Sequence, residues 1–200
     1  MRIKILNDNT INIQSSDSEL ISSFIKGNQS AFNYIVLKYQ KNVYFSVRKM
    51  VLYHDDADEI TQEVFIKLHS SIKNFRGESS LFTYLYRIAM NYSLNHLKRN
   101  KKINEKHKNI DDENYQIRNN DLSADEMIDE KSKENILLEA ISRLPEKQRA
   151  VYNLRFYDGL SYEDISKILK KSEGGLKANY FHAVKKIEEF IEKKKASGHI

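Results

Sequence analysis

A single proline and six glycines in 200 residues leave this chain few places where a helix must stop. Proline removes a backbone donor and clashes with the preceding turn, and glycine gives up the most conformational freedom in a helix. Met1 to Gln14 alternates apolar and polar residues, but long apolar runs at the two-residue period of a strand are lacking. The expected fold is all-α.

Composition narrows the chemistry. The 33 Lys and Arg against 28 Asp and Glu leave a formal charge of +5, which suits a nucleic-acid partner and equally suits a mixed, solvated surface. With no cysteine, disulfides, thiolate metal sites and cysteine nucleophiles are excluded. The six histidines (His54, His69, His96, His107, His182 and His199) lack close metal-ligand spacing, so no metal site is expected. There is no glycine-rich phosphate loop and no serine-elbow pattern, so the expectation is a protein with no catalytic residues, no cofactor and no small-molecule substrate. The N-terminal stretch lacks the long apolar core of a signal peptide. No apolar run approaches the roughly 20 residues that cross a bilayer, and a cytoplasmic location is expected.

The pattern along the chain divides it. Residues 1–16 read as an arm. Leu20, Ile21, Phe24 and Ile25 recur at helical spacing from Asp17 onward, and Gly27-Asn28 breaks the run. Phe32, Ile35, Val36, Tyr39, Val43 and Val47 mark a second helix. A third is expected over about Asp56 to Ser70 and, after a loop at Phe75–Ser80, a fourth over about Leu81 to Arg99, capped by Ser80. Residues 101–133 are polar and aperiodic and read as a flexible linker, with a long solvated helix over part of it as the alternative. Periodicity returns with Ile136, Leu137, Ala140, Ile141 and Leu144. Pro145 opens the next helix, which carries Ala150, Val151, Leu154 and Phe156. Ser161 caps a short helix, Lys170-Lys171-Ser172 is a turn, and a last helix runs from about Glu173 to Lys194. Residues 17–100 and 134–195 thus form two small, separately folded helical domains on a polar, movable tether, and their relative orientation is left open by the residues.

Three helical faces carry candidate chemistry. Ser161 to Lys170, the turn and the helix after it have helix-turn-helix proportions, which place the second helix in the DNA major groove. At about 100° per residue, Leu176, Tyr180, Ala183, Val184 and Ile187 form the inner side of that helix. Gly174, Ala178, His182 and Lys185 lie opposite, with Lys177, Asn179 and Lys186 on the flanks. Ser172 and the first amides suit a phosphate. The competing reading is a plain bundle with a solvated lysine face. On the third helix Ala57, Ile60, Val64 and Leu68 face inward, while Asp55, Asp58, Glu59, Gln62 and Ile66 face out: a solvated acidic stripe, or a docking face for a basic helix. On the fourth, Leu81, Leu85, Ile88 and Tyr92 are apolar, while Arg87, Asn91 and Lys98 line up opposite with Tyr84 and Asn95 adjacent. Cations for phosphates, amides for base edges and an aromatic ring for stacking suit a single DNA strand; an ordinary surface strip is the alternative. The loop before it has the small hydroxyls and glycine to hold an extruded base.

These pieces in this order resemble a known family. Asp56–Phe65 (DADEITQEVF) is similar to the polymerase-docking motif of sigma-70-type initiation factors. Phe75–Ala89 (FRGESSLFTYLYRIA) resembles the segment of their extracytoplasmic-function members that melts the minus-ten element. Leu144–Arg149 (LPEKQR) followed by Leu160–Ile165 (LSYEDI) resembles the opening of their minus-thirty-five reader. The resemblance implies a domain 2-like bundle at 17–100 and a domain 4-like helix-turn-helix at 134–195. It implies that Asp58, Glu59, Gln62 and Ile66 contact a coiled coil of core RNA polymerase. Phe75, Arg76, Ser79 and Ser80 would lie near the extruded minus-ten base, with Tyr84 stacking and Arg87, Asn91, Asn95 and Lys98 on the melted strand. Ser172, Gly174, Lys177, Ala178, Asn179, His182, Lys185 and Lys186 would meet minus-thirty-five DNA. An anti-sigma partner is implied too, and a monomer is expected for the free chain. The sequence departs from the family pattern at Tyr84 (often tryptophan), at Lys170 (often glycine in the turn) and at Ala178-Asn179 (often Ser and Arg).

A small basic domain binds DNA weakly at cellular salt, because affinity falls about 0.9 log units per log of salt for each phosphate neutralised. Two such domains fixed on one polymerase gain from linkage. The free chain is therefore expected to bind promoters weakly. A stand-alone helix-turn-helix regulator is the alternative; it leaves the Phe75–Ala89 segment idle.

Overall fold

The structure, a computed structural model, describes residues 11–107 and 130–197. Its regular elements are eight α-helices, a 3-10 turn at Ile72–Asn74 and a π-helical turn at Asn153–Tyr157. Local chemistry sets most of the helix starts. Helix α1 (Asp17–Ile25) opens on a capping box, in which the Glu19 amide donates to Ser16 Oγ and the Glu19 carboxylate accepts from the Ser16 amide. Asn28 caps α2 (Gln29–Val51). That helix stops because Leu52 turns left-handed at φ 75° and its amide closes on Arg48. Helix α3 (His54–Ser71) starts two residues earlier than expected, held there by the Tyr44 hydroxyl 2.8 Å from His54 Nδ1.

Helix α4 (Leu81–His107) departs most from expectation. It runs eight residues past Arg99, into the segment read as linker; just before that segment Asn100 Nδ2 lies 2.9 Å from His96 Nε2, and that nitrogen lies 3.1 Å from Asp56 of α3. Its first half is apolar nearly all round, and Leu85, Tyr86, Ala89, Met90 and Ser93 are all buried. A helix of that kind belongs inside a bundle, and α4 packs on both α2 and α3. The linker expected at 101–133 otherwise lies mostly outside the described residues; α5 (Glu130–Ser142) is already under way at its end.

Helices α6 (Glu146–Tyr152), α7 (Tyr162–Leu169) and α8 (Glu173–Ala196) follow. Ala140, Ile141, Leu144, Tyr152, Ala183 and Ile187 make a small core between α5, α6 and α8. Phe156, expected on the apolar side after Pro145, is instead 54 % exposed and stacks on Tyr152, with ring centres 5.1 Å apart. The π turn is the cause: its wider i→i+5 spacing breaks the register on which that expectation rested.

The two helical groups pack on each other. Ala150, Val151, Leu154, Ile165, Ile168 and Leu176 belong to the same continuous apolar cluster as the residues of α1–α4, and α7 packs along α4. A polar joint lies at the C-terminal end of α2. Arg149 Nη1 donates to the Met50 carbonyl at 2.8 Å and Asn153 Nδ2 to the Lys49 carbonyl at 3.0 Å. These are among the carbonyls a helix leaves unpaired at its end, where its dipole also favours a cation. Arg149 is 7 % exposed, and its Nη2 ties the α5–α6 connection by donating to the Ser142 and Leu144 carbonyls. Burial pulls its pKa down and nearby Glu146 opposes that, but a guanidinium keeps its proton throughout. Asp158 accepts from Ser46 Oγ at 3.2 Å and lies 3.9 Å from Lys49 Nζ. Lys49 in turn lies over the Tyr157 ring, 4.3 Å from its centre.

Candidate nucleic-acid interface and docking face

The outer face of α3 is formed as expected. Ala57, Ile60, Val64 and Leu68 are buried, and Asp58, Glu59, Gln62 and Ile66 are exposed. Ile66 is 69 % exposed, a branched aliphatic set in an acidic stripe. The N-terminal end of the stripe is braced: Asp56 anchors the helix to His96 of α4, and Asp58 lies 3.3 Å from His54, one turn back.

The start of α4 brings the second set together. Ser80 Oγ accepts from the Thr83 amide at 3.0 Å and contacts the Thr83 hydroxyl, so this hydroxyl is largely committed to capping. Gly77 takes φ +72° with open space around it, letting the loop turn back over the helix. The Phe75 ring lies 5.2 Å from that of Tyr84, whose hydroxyl donates to Ser71. The Arg87 guanidinium is 5.8 Å from the centre of the Tyr84 ring and 3.5 Å from Ser79 Oγ. Arg87 Nε is buried with no partner. Arg76 and Asn91 are exposed.

Further along α4, Asn95 and Lys98 line a groove with Arg99, Lys102 and Ile103. Lys102 was missed because the helix was ended too early, and Arg99 because it stood at the expected end. The signal was present: Asn91, Asn95, Lys98 and Lys102 recur at i, i+4, i+7 and i+11, the period of one helical face.

The third set sits on α8. Ser172 Oγ accepts from the Gly175 amide, and any Cβ on Gly175 would meet that oxygen at 3.2 Å. Lys170 adopts the left-handed turn conformation, φ 52°, that glycine holds without strain, and Ser166 braces the turn by donating to the Lys171 carbonyl at 2.6 Å. The departure at Lys170 therefore leaves the turn in place. Gly174, Lys177, Ala178, His182, Lys185 and Lys186 are exposed. Asn179 is half-buried and spends its amide on the Gly175 carbonyl at 2.7 Å, which makes it a brace more than a reader. Phe181 was overlooked. It is 64 % exposed and, at about 100° per residue, stands in the middle of the outer face between Gly174, Ala178 and Lys185. An aromatic ring with no core to join was the available clue.

No metal-binding cluster and no helix long and apolar enough to cross a membrane occurs among the described residues.

The fold and these faces define a two-part helical DNA-binding protein with a helix-turn-helix at its C-terminal end. Residues 35–103 match the family description Sigma-70 region 2, and residues 134–187 match Sigma-70, region 4. The ECF RNA polymerase sigma-E factor of Haemophilus influenzae is 36 % identical over 185 residues, covering 90 % of this chain and 97 % of its own. The RNA polymerase sigma-H factor of Pseudomonas aeruginosa is 30 % identical over 190 residues, covering 90 % and 95 %. Among solved structures, CnrH in complex with the cytosolic domain of CnrY matches with TM-score 0.64 at 16 % identity, covering 90 % of this chain and 99 % of that one. The Bartonella quintana sigma factor RpoE, in complex with the anti-sigma factor NepR, matches with TM-score 0.63 at 19 % identity over 80 % and 96 %; both likenesses are of fold. The chain belongs to the sigma-70 family, in its extracytoplasmic-function group. It is a transcription initiation factor and not an enzyme: it binds RNA polymerase and directs promoter recognition. A stand-alone regulator finds no support.

Proposed function

We propose that the three exposed faces divide the work of initiation. Asp58, Glu59, Gln62 and Ile66 of α3 dock on core polymerase, within a domain spanning 17–100. Phe75, Arg76, Ser79 and Tyr84 receive an extruded minus-ten base, and Arg87, Asn91, Asn95, Lys98 and Lys102 hold the melted strand. In a second domain, 134–195, the α8 residues Gly174, Lys177, Ala178, His182, Lys185 and Lys186 enter minus-thirty-five DNA, with Phe181 against a thymine methyl. Ser80 and Ser172 act through their helix starts, and Asn179 braces α8.

The observation that carries this reading is the Tyr84–Arg87–Ser79 group: a ring, a guanidinium with an unsatisfied buried donor and a hydroxyl, gathered beside a glycine turn. Such a group suits one base and one phosphate. The free chain acts as a monomer in the cytoplasm. An anti-sigma protein is its regulatory partner, a reading supported by the complex with the anti-sigma factor NepR in which one fold relative was solved.

Run-off transcription with purified core polymerase tests the division. Ile66→Asp is expected to lower affinity for core polymerase while leaving minus-thirty-five binding intact. Lys177→Glu with Lys185→Glu is expected to do the reverse. If both variants fail in the same step, the assignment of separate faces is wrong.

A further inference from the structure

Helix α4 changes character along its length. Up to Ser93 it is built into the bundle, with Leu85, Tyr86, Ala89, Met90 and Ser93 all buried. Beyond Ser93 none of the described side chains of α4 is buried, and Leu94 and Leu97 pack on the core only in part. Asn95, Lys98, Arg99 and Lys102 stand on this thinly supported half, where Lys98 and Lys102, four apart, repel each other. A rotation of about 30° around the helix axis moves an atom at a radius of about 6 Å by about 3 Å. That is as long as a hydrogen bond, so a strip that meets phosphates needs its rotation fixed.

His96 supplies the fix. Its side chain is 10 % exposed, and Nε2 lies 3.1 Å from Asp56 Oδ2 in the first turn of α3. The helix dipole favours an anion in that turn. The Asn100 amide lies 2.9 Å from the same nitrogen. One ring nitrogen cannot donate to Asp56 and accept from Asn100 at once. The carboxylate is the stronger partner, so Nε2 carries the proton and points it at Asp56. At about 100° per residue, His96 stands about 60° round the helix from Arg99 and about 100° from Asn95. It grips α3 from beside the cationic strip without joining it. Asp58 of the docking face follows Asp56 by two residues, so the same contact sets the strip against that face.

We propose that His96 is a positioning residue for capture of the melted strand: bonded to Asp56, it fixes the rotation of the outer half of α4 and so the placement of Asn95, Lys98, Arg99 and Lys102. The proposal rests on the reading of that strip as a strand-holding surface. His96 itself touches no DNA; it acts through its neighbours.

A salt series on the full chain assembled with core polymerase tests it. Core polymerase alone is the baseline, and a fluorescein-labelled single DNA strand of mixed sequence is the probe. Affinity for a single strand falls with a log–log slope of about 0.7 per phosphate neutralised. His96→Leu removes the donor and no charge of the strip. It is expected to lower the slope by about 0.7–1.4, the loss of one or two phosphates, and to weaken binding roughly four- to fifteenfold at about 0.15 M salt. His96→Gln, whose side-chain amide places an N–H where Nε2 stood, should recover most of both. Asp56→Ala should match His96→Leu, and the double variant should be no worse than either, because the two act through one contact.

A contact that serves stability alone would lower the urea midpoint and leave the slope of the folded protein unchanged. That result overturns the proposal, as does a double variant whose losses add. Lys98→Ala with Lys102→Ala removes two charges of the strip directly and should lower the slope by about 1.4. An unchanged slope in that pair sinks the strand-holding reading and the positioning role with it. A lowered slope there beside an unchanged one in His96→Leu sinks the positioning role alone.

Discussion

The Arg87 guanidinium sits 5.8 Å from the centre of the Tyr84 ring, while the Tyr84 hydroxyl is held at 2.9 Å from Ser71. The ring is thus fixed from behind and faced by a cation. Stacking of a base on an aromatic ring is worth about 1–3 kcal/mol, so Tyr84→Ala should slow promoter opening roughly five- to a hundredfold while sparing duplex minus-thirty-five binding. Tyr84→Phe keeps the face and loses only the Ser71 bond. It should open promoters nearly normally and lower stability by about 1 kcal/mol. Permanganate footprinting of the melted strand and urea unfolding separate the two effects.

Among the described residues the ion pairs of Lys177 and Lys185 are with Glu173 and Glu189 on their own helix, at 4.0 and 3.9 Å, on exposed surface, and Lys177 also lies 5.6 Å from the centre of the Tyr162 ring. Such pairs are worth little, so both lysines are available to phosphates. Replacing either by alanine should reduce the salt slope of minus-thirty-five binding by about 0.9. Phe181→Ala should leave that slope unchanged and instead relax preference for thymine at one position. Fluorescence anisotropy across a salt series, with a base-substituted duplex set, checks both.

Lys170 holds φ 52° in the turn between α7 and α8. A left-handed conformation costs an L-residue about 1–2 kcal/mol, and glycine's greater unfolded freedom offsets about 0.5–1 kcal/mol of the relief. Lys170→Gly should therefore stabilise the protein by about 0.5–1 kcal/mol with DNA affinity little changed. The shift in urea midpoint decides it; destabilisation would show that the turn is not strained.

Asp158 has its pKa raised by burial, with Lys49 and the Ser46 hydroxyl pulling against that rise. The folded state thus holds this proton more tightly than the unfolded chain. Its contribution to stability is largest below the ordinary value of 3.8 and is lost as pH climbs through the raised pKa. Asp158→Asn keeps an acceptor for Ser46 without a buried charge. It should be more stable than the parent at about pH 7, with the difference shrinking as pH falls toward about 4. Urea unfolding of both proteins across that range gives the comparison, and Lys49→Met should raise the Asp158 pKa further.

The all-helical class, the inner and outer sides of α3, and most of the exposed positions on the outer faces of α4 and α8 were legible in the residues. They follow from apolar spacing at the helical period and from caps such as Ser80 and Ser161, and both are local properties of the chain. The anchoring of α4 on α3 was not local. It rests on the His96 contact with Asp56, 40 residues earlier. Phe156 was misplaced for a related reason, since the π turn after Tyr152 changes the register on which spacing arguments rest.

Which segments coil, and which side of each coil is apolar, are written locally in the chain, because hydrophobic period and capping act within a few residues. The closing of the two helical groups on each other is a long-range choice. That choice is made where Arg149 and Asn153 meet the Met50 and Lys49 carbonyls. Backbone acceptors at a helix end exist whatever the residue type, so no pattern of side chains announces which donor, about a hundred positions away, will reach them.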